Sequence, residues 1–473
     1  MTPMSSDSNT IRAFGRGFLD RGPVYLMCAL ILYGPFHYAL TTRPGEILFT
    51  QVASVAIFIF LWDAFVKERW PQVPALPLAC MTVILLLGLW MTFNASSYYR
   101  WHTELFTMRV LTGAPFPDLP GSYARFASTQ LVTKLTVIFG LVVIFLNQNE
   151  TRRERILFTF MVSVLGCALL GTAMKFFEPI RDLYWDANKY KDRGMVEIVF
   201  AAFRYHAHSA SFLVTGLCVS GGFWLHSVER RQPKGKRFLC ALSFFCIFCA
   251  LFLNTSRAGW VLSLVAMIGL TTMALLRRTR RFSRKEILAG LVGLVLLGAI
   301  AASVFLAEKE YRTERVQTIR KHIQSRAPIA LFIKIIPETP VLGFGPGSLP
   351  NVFPKYQRLH PDLFAQDKFL NAAHQDYFQF FFEWGAGLIV WVALLLTPVG
   401  LLFAQIRRLG WRRAANPLTA SCTLAISITL MHSMGDFPLQ MLLLQLAFFI
   451  CWSTAVSAAS PDDGTANERS SAI

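Results

Sequence analysis

The sequence carries little charge for its length. Only 16% of its 473 residues are Asp, Glu, Lys or Arg, whereas 54% are hydrophobic and the mean hydropathy is +0.45. Soluble globular domains carry about 25% charged residues. This shortage of charge excludes an ordinary soluble domain and indicates a chain that lies mostly in a membrane.

Cysteines are missing from the predicted connecting loops, and the sequence shows no nucleotide-binding or metal-binding motif. All nine cysteines fall in apolar stretches, so no disulfide framework is expected in the connecting loops. The stretch "GFGPG" at 343–347 matches neither GxGxxG nor the P-loop, and no predicted strand precedes it. No acidic pair has the spacing of metal ligands. We therefore expect no cofactor, no metal and no nucleic-acid partner.

Apolar runs long enough to cross a bilayer recur along the whole chain. A membrane-spanning helix needs about 20 such residues. The runs predict an all-α polytopic membrane protein with about twelve spans, at 24–42, 46–66, 75–93, 127–147, 156–177, 207–226, 238–254, 259–276, 287–306, 384–405, 417–434 and 440–457. The first eleven residues are polar and no small-residue cleavage site follows the first span, so we expect that span to be uncleaved.

The short basic loops predict the orientation of the chain. "KERW", "ETRRER", "ERRQPKGKR", "RRTRRFSRK" and "RRLGWRR" all fall on one side of a twelve-span arrangement. Such loops face the cytoplasm, so both termini are expected there. Segment 94–126 and a helix-favouring loop at about 307–383, between spans nine and ten, are then expected on the opposite, outer side. We divide the chain into an N-terminal membrane region (1–200), a core (201–458) and a polar cytoplasmic tail (459–473).

The outer segments are unusually basic. Ten Lys and Arg residues lie within 307–383, and Arg204 and Arg257 occupy other outer positions. Because Arg matches phosphate oxygens bidentately, an anionic ligand on the outer side is the favoured interpretation. Contact with anionic lipid or with acidic groups of a partner is the alternative.

Ionisable residues gather where the predicted spans reach the outer side of the membrane. Placing a charged group there costs free energy, so these residues are candidates for function. They come from four stretches: "FRYHAHSASFL" with Arg204, His206 and His208; "NTSRAGW" with Arg257; "AHQDYFQFFFEWG" with His374 and Asp376; and "MHSMGDFPLQ" with His432 and Asp436. Several also have a structural explanation. His432 and Asp436 are four residues apart, a spacing that suits a hydrogen bond seating a helix end, and His206 and His208 diverge on a helix, which argues against a two-histidine metal site.

Four of these features together resemble the superfamily of O-antigen ligases and O-antigen polymerases, which are bacterial inner-membrane glycosyltransferases. They are the "SR" turn before an apolar span, "P..P..GFGPGS" in the long outer loop, "AHQDYFQFFFEWGAGL" and "HSMGDFPL". The resemblance covers about 200–440. It implies a C-type glycosyltransferase fold in the inner membrane, with a periplasmic active site and a saccharide donor linked to undecaprenyl diphosphate. The implied acceptor is lipid A-core or a growing glycan, with membrane lipids as further partners.

The resemblance also implies roles for particular residues. It places the loop histidine at His374 and the turn arginine at Arg257. His374 would act as the base that takes the proton of the attacking hydroxyl. Arg257 and Arg204 would neutralise the diphosphate, and attack opposite the diphosphate would invert the anomeric centre. This chain departs from the family pattern at Gln375 and Ala207, where relatives often carry Asn.

Two other classes suit a twelve-span chain. A secondary transporter would place binding groups near the bilayer midplane, and a flippase of lipid-linked sugars would need a polar path. Charged residues within the predicted spans are few, with Lys134 the deepest. This distribution favours chemistry at the outer surface.

Overall fold

The protein is mostly helical. The computed structural model describes residues 6–102, 106–185, 199–277, 329–363, 370–411 and 416–458. Its helices are α1 Ser6–Phe36, α2 Arg43–Val66, α3 Ala75–Phe93, α4 Arg125–Leu146, α5 Glu150–Phe176, α6 Glu178–Tyr184, α7 His206–Glu229, α8 Lys234–Leu253, α9 Arg257–Arg277, α10 Ile329–Ile335, α11 Leu349–Leu359, α12 Asp376–Trp384, α13 Leu388–Leu409, α14 Pro417–His432 and α15 Leu442–Ser457.

Eight helical stretches among the described residues are long and apolar enough to cross a membrane, which makes this a multi-pass membrane protein. They are α2, α3, α4, α5, α7, α8, α9 and the stretch Asp376–Leu409, in which the turn Gly385–Gly387 joins α12 to α13. The last two predicted spans correspond to α14 and α15, which are apolar but only 16 residues long. The predicted first span overlaps α1, which is not among the eight, and 287–306 lies outside the described residues. The count of twelve spans therefore stays a prediction.

Helix α7 lies at the centre of the bundle. It packs against α5, α8, α9 and α14, and 20 of its 24 residues are buried. Small residues allow such close packing in membranes. A Cβ atom at Gly222 would lie 1.9 Å from Ser421 Oγ of α14, so this crossing requires glycine. This close contact holds α7 against α14.

The deepest charged residue of the predicted spans has a partner. Lys134 Nζ of α4 lies 2.6 Å from Glu46 Oε1 near the start of α2. Both side chains are about a quarter exposed. The pair ties two helices together, and this structural explanation weakens the case for Lys134 as part of a transport path.

The segment between α3 and α4 contains a feature that the sequence analysis did not predict. Strand β1 (Ser97–His102) pairs antiparallel with β2 (Phe106–Leu111), from Ser97 opposite Leu111 to His102 opposite Phe106. The base of this hairpin is attached to the loop before α4, because Ser97 Oγ donates to the Tyr123 carbonyl (2.6 Å).

The second half of the long loop at about 307–383, which keeps the name outer loop after its predicted side, forms its own apolar core, the outer core. Side chains from α10, α11 and α12 pack together there, with Phe332, Phe353 and Phe382 at the centre. The aromatic run just before the predicted tenth span (384–405) forms a helix of its own, α12, and α13, which corresponds to that span, begins after Gly385–Gly387. The outer core therefore holds α12, and with it the segment that carries His374.

The turn 343–349 locks α12 to this core. Phe344 and Gly345 donate their N–H groups to the carbonyls of Phe382 (2.9 Å) and Glu383 (3.0 Å). The buried carboxylate of Glu383 accepts from Gly347 N–H (2.8 Å) and from the Gln379 amide (3.0 Å). The sequence analysis assigned Glu383 no role. The signal that could have revealed this role is an acidic residue within an apolar run, because a buried carboxylate requires hydrogen-bond partners.

We expect Gly345→Ala to destabilise the protein. Gly345 has φ +104°, and a Cβ atom there would lie 2.3 Å from Ser122 Oγ and 2.7 Å from Ser122 Cα. Strain and overlap together should cost about 2 kcal/mol or more, which a lower melting temperature in detergent would reveal. The matched control is Gly113→Ala, at φ +69° with no described atom within 4 Å of the added Cβ. Equal melting temperatures for the two variants would contradict the role of the turn.

Candidate active site

The first element of the site is the turn that carries Arg257. Asn254 donates its amide to Ser209 Oγ of α7 (2.7 Å) and accepts the N–H of Ser256 (3.0 Å). Ser256 Oγ in turn accepts the N–H of Gly259 (3.2 Å) and caps the start of α9. Arg257 is therefore the first residue of a 21-residue helix whose start is fixed against α7. A guanidinium at a helix N-terminus suits an anionic ligand.

The second element is the connection 433–440 between α14 and α15, which Asp376 holds in place. The Asp376 carboxylate is fully buried and accepts hydrogen bonds from Ser433 Oγ (2.7 Å), the Leu439 N–H (2.9 Å) and the Gln440 amide (3.0 Å). Its own N–H donates to the Ser433 carbonyl (3.1 Å). Asp376 therefore fixes this connection to the start of α12.

His374 precedes α12 in an unusual backbone conformation. Its φ is +53°, in the left-handed region that non-glycine residues rarely adopt. Hydrogen bonds hold the backbone on both sides of His374. The Ala373 N–H donates to Gln379 Oε1 (3.1 Å), and the Asp376 N–H donates to the Ser433 carbonyl (3.1 Å). The His374 side chain is 28% exposed. The fold thus maintains a strained position that presents an accessible imidazole.

Asp436 is the carboxylate next to His374. His374 Nδ1 lies 3.8 Å from Asp436 Oδ1, and His432 Nε2 lies 3.6 Å from Asp436 Oδ2. Asp436 is 3% exposed. Burial would raise the pKa of its carboxyl, but the imidazoles of His374, His208 and His432 outweigh burial and hold that pKa below its ordinary value. Asp436 is thus a buried carboxylate among histidines, whereas the sequence analysis had explained it by a structural hydrogen bond with His432.

The two histidines at the start of α7 occupy different surroundings. Both are buried. The His208 ring meets the Tyr205 and Phe437 rings edge-on, at centroid distances of 4.8 and 4.7 Å, whereas His206 lines a cavity next to Arg257. Among the described residues, no three His, Cys, Asp or Glu side chains are placed to hold a metal ion.

A cavity of about 170 Å³ joins these elements. Its lining comes from the start of α7, the start of α9 and the end of α14 with the following loop, and includes Tyr205, His206, Ser256, Arg257, His432 and Asp436. Asp436 thus lines the cavity and also lies beside His374. Arg204, two residues before His206, is exposed and lies outside the cavity lining.

The structure brings together most of the residues predicted for the site. His374, Asp436, His432, His208, His206 and Arg257 belong to one connected cluster, and Asp376 supports it through the 433–440 connection. Chemically, such a cluster can provide a base with a carboxylate partner, and a cation at a helix N-terminus, a position that favours anions.

Comparison with known families agrees with the predicted resemblance. Residues 242–392 match a family model described as O-antigen ligase, which confirms the resemblance to the O-antigen ligase and polymerase superfamily. The matched range includes Arg257, His374 and Asp376, whereas Arg204, His206, His208, His432 and Asp436 lie outside it. A comparison with curated proteins found no match.

Proposed function

Since residues 242–392 resemble an O-antigen ligase, we propose that the protein is a glycosyltransferase of the bacterial inner membrane. In this proposal it moves a saccharide from undecaprenyl diphosphate to an acceptor on the periplasmic face, and the acceptor is lipid A-core. The observation that carries the proposal is the position of Asp436, which lies beside His374 and lines the cavity that also contains Arg257.

His374 is the proposed base. With Nδ1 directed at Asp436, the imidazole presents Nε2 to the acceptor hydroxyl, and the carboxylate stabilises the imidazolium that forms when the proton arrives. The 3.8 Å separation exceeds a hydrogen bond, and such distances often shorten when substrate binds. The acceptor oxygen forms a bond to the anomeric carbon while the bond to the diphosphate breaks, which inverts that carbon.

Arg257 is the proposed diphosphate ligand. The leaving diphosphate is a weak base, so the reaction needs charge neutralisation more than a general acid. The guanidinium and the N-terminus of α9 provide positive charge on the same side of the cavity. Arg204, exposed near the start of α7, is the proposed second cation for the same diphosphate.

We expect transfer by the purified protein to survive EDTA. The assigned counter-charges are arginines, which a chelator leaves in place. The measurement compares initial rates with and without EDTA, with a Mg²⁺-dependent glycosyltransferase as the control. Loss of activity that Mg²⁺ or Mn²⁺ restores would contradict the assignment.

The proposed orientation is tested by labelling. In a variant without the nine native cysteines, His360→Cys, in the outer loop, should react with an impermeant maleimide in intact spheroplasts. Gln232→Cys, between α7 and α8, should react only after permeabilisation. The reverse pattern would place the candidate site on the cytoplasmic side and contradict the proposal.

The lipopolysaccharide of a deletion strain distinguishes the members of the superfamily. Core that bears no saccharide is the result expected for a ligase. Core capped by a single repeat would instead indicate a polymerase. Unchanged lipopolysaccharide would overturn both and direct attention to another polymer or to a transporter.

A further inference from the structure

Phe437 lies between the two functional parts of the candidate site. The His374 ring and the His208 ring both meet the Phe437 ring edge-on, at centroid distances of 4.8 and 4.7 Å. The preceding residue, Asp436, lines the cavity of Arg257. The proposed base and the proposed diphosphate site are therefore connected through residues 436–437.

The position of Phe437 is fixed by its backbone. Its N–H donates to Asp436 Oδ1 (3.0 Å), and its carbonyl accepts the N–H of Gln440 (3.1 Å). The next two anchors are the Leu439 N–H and the Gln440 side chain, both bonded to the buried Asp376. These contacts hold the partly exposed Phe437 ring in one position beside His374 and His208.

A second aromatic ring accompanies Phe437. The Tyr205 ring lies 6.4 Å away between centroids, and the two planes differ by 14°. Both side chains are partly exposed, and Tyr205 also lines the cavity. The two rings together form a partly exposed aromatic surface beside the reacting groups.

The proposed chemistry requires a sugar ring at this place. In an inverting transfer the anomeric carbon lies between the acceptor hydroxyl, next to the base, and the leaving diphosphate. A pyranose has apolar C–H faces that pack on aromatic rings, and binding sites commonly combine aromatic walls with a few polar groups. We propose that Phe437, with Tyr205, is the surface on which the transferred sugar of the donor stacks. This inference rests on the proposed function.

The test compares two ligands on one variant. Binding of undecaprenyl diphosphate without sugar and of the saccharide-linked form is measured with the full-length protein in nanodiscs. Phe437→Leu should weaken binding of the saccharide-linked form about 3- to 10-fold, as expected for the loss of one aromatic contact. It should leave binding of the sugar-free lipid unchanged, which also shows that the variant is folded. Phe437→Tyr should restore the difference between the ligands.

The matched control is Met434→Leu, an exposed residue of the same connection, for which both affinities should stay at the wild-type values. Equal weakening of both ligands by Phe437→Leu, or no weakening of either, would overturn the stacking role while leaving the proposed transfer intact. Failure of the wild-type protein to bind either lipid would instead remove the proposed function itself.

Discussion

Replacement of His374 by alanine should reduce the rate of saccharide transfer by about 10²–10⁴-fold, the usual effect of losing a general base. Binding of the lipid-linked donor should remain close to normal, because the diphosphate is assigned to Arg257 on α9. The melting temperature should also change little, since the His374 side chain is 28% exposed and its backbone is held by Gln379 and Ser433.

Three measurements on the same preparation decide the role of His374: transfer rate, donor affinity and melting temperature. The matched control is His360→Ala, another histidine of the long outer loop, at the end of α11, which should transfer at the wild-type rate. Near-normal transfer by His374→Ala would exclude the base assignment. A large fall in melting temperature with loss of donor binding would indicate a structural role instead.

Substitution of Arg257 should affect both binding and turnover. Arg257→Ala removes the cation at the start of α9 and should lower the turnover rate by about 10²–10³-fold, the range seen when one group that stabilises developing charge is lost. Arg257→Lys keeps the charge but loses the planar fork, so we expect weaker donor binding and an intermediate rate.

The control for Arg257 is Arg181→Lys, on α6. The described partners of Arg181 are Glu178 and Asp182 on the same short segment, and this change should leave transfer unaltered. If Arg257→Ala binds the donor and turns over normally, the diphosphate must be held elsewhere, and Arg204 would be the next residue to test.

Hydropathy along the sequence predicted most of the long helices but missed the structure of the outer loop. A run of apolar residues indicates burial without distinguishing lipid from protein. The aromatic run 376–384, which lies just before the predicted tenth span, packs on Phe332 and Phe344 of the outer core and is separated from α13 by Gly385. The β-hairpin was missed because short strands give a weak pattern beside strong membrane signals.

The sequence was enough to predict which residues belong to the candidate site, but not which of them contact each other. Histidine, aspartate and arginine stand out at a membrane boundary whatever the fold. Whether Asp376 or Asp436 lies beside His374 depends on how α12 meets the α14–α15 connection. The nearer acid in sequence turned out to bond Ser433 and Leu439, and the distant one lies beside the imidazole. Such contacts follow from packing, which sequence spacing does not reveal.

The most direct test of the central proposal is a mass balance on the purified protein in liposomes. Supplied with a saccharide linked to undecaprenyl diphosphate and with lipid A-core, it should release one undecaprenyl diphosphate for each saccharide joined to the acceptor, and the new linkage should have the inverted anomeric configuration. Unchanged donor and acceptor, movement of intact donor across the bilayer without transfer, or a retained configuration would contradict the proposal.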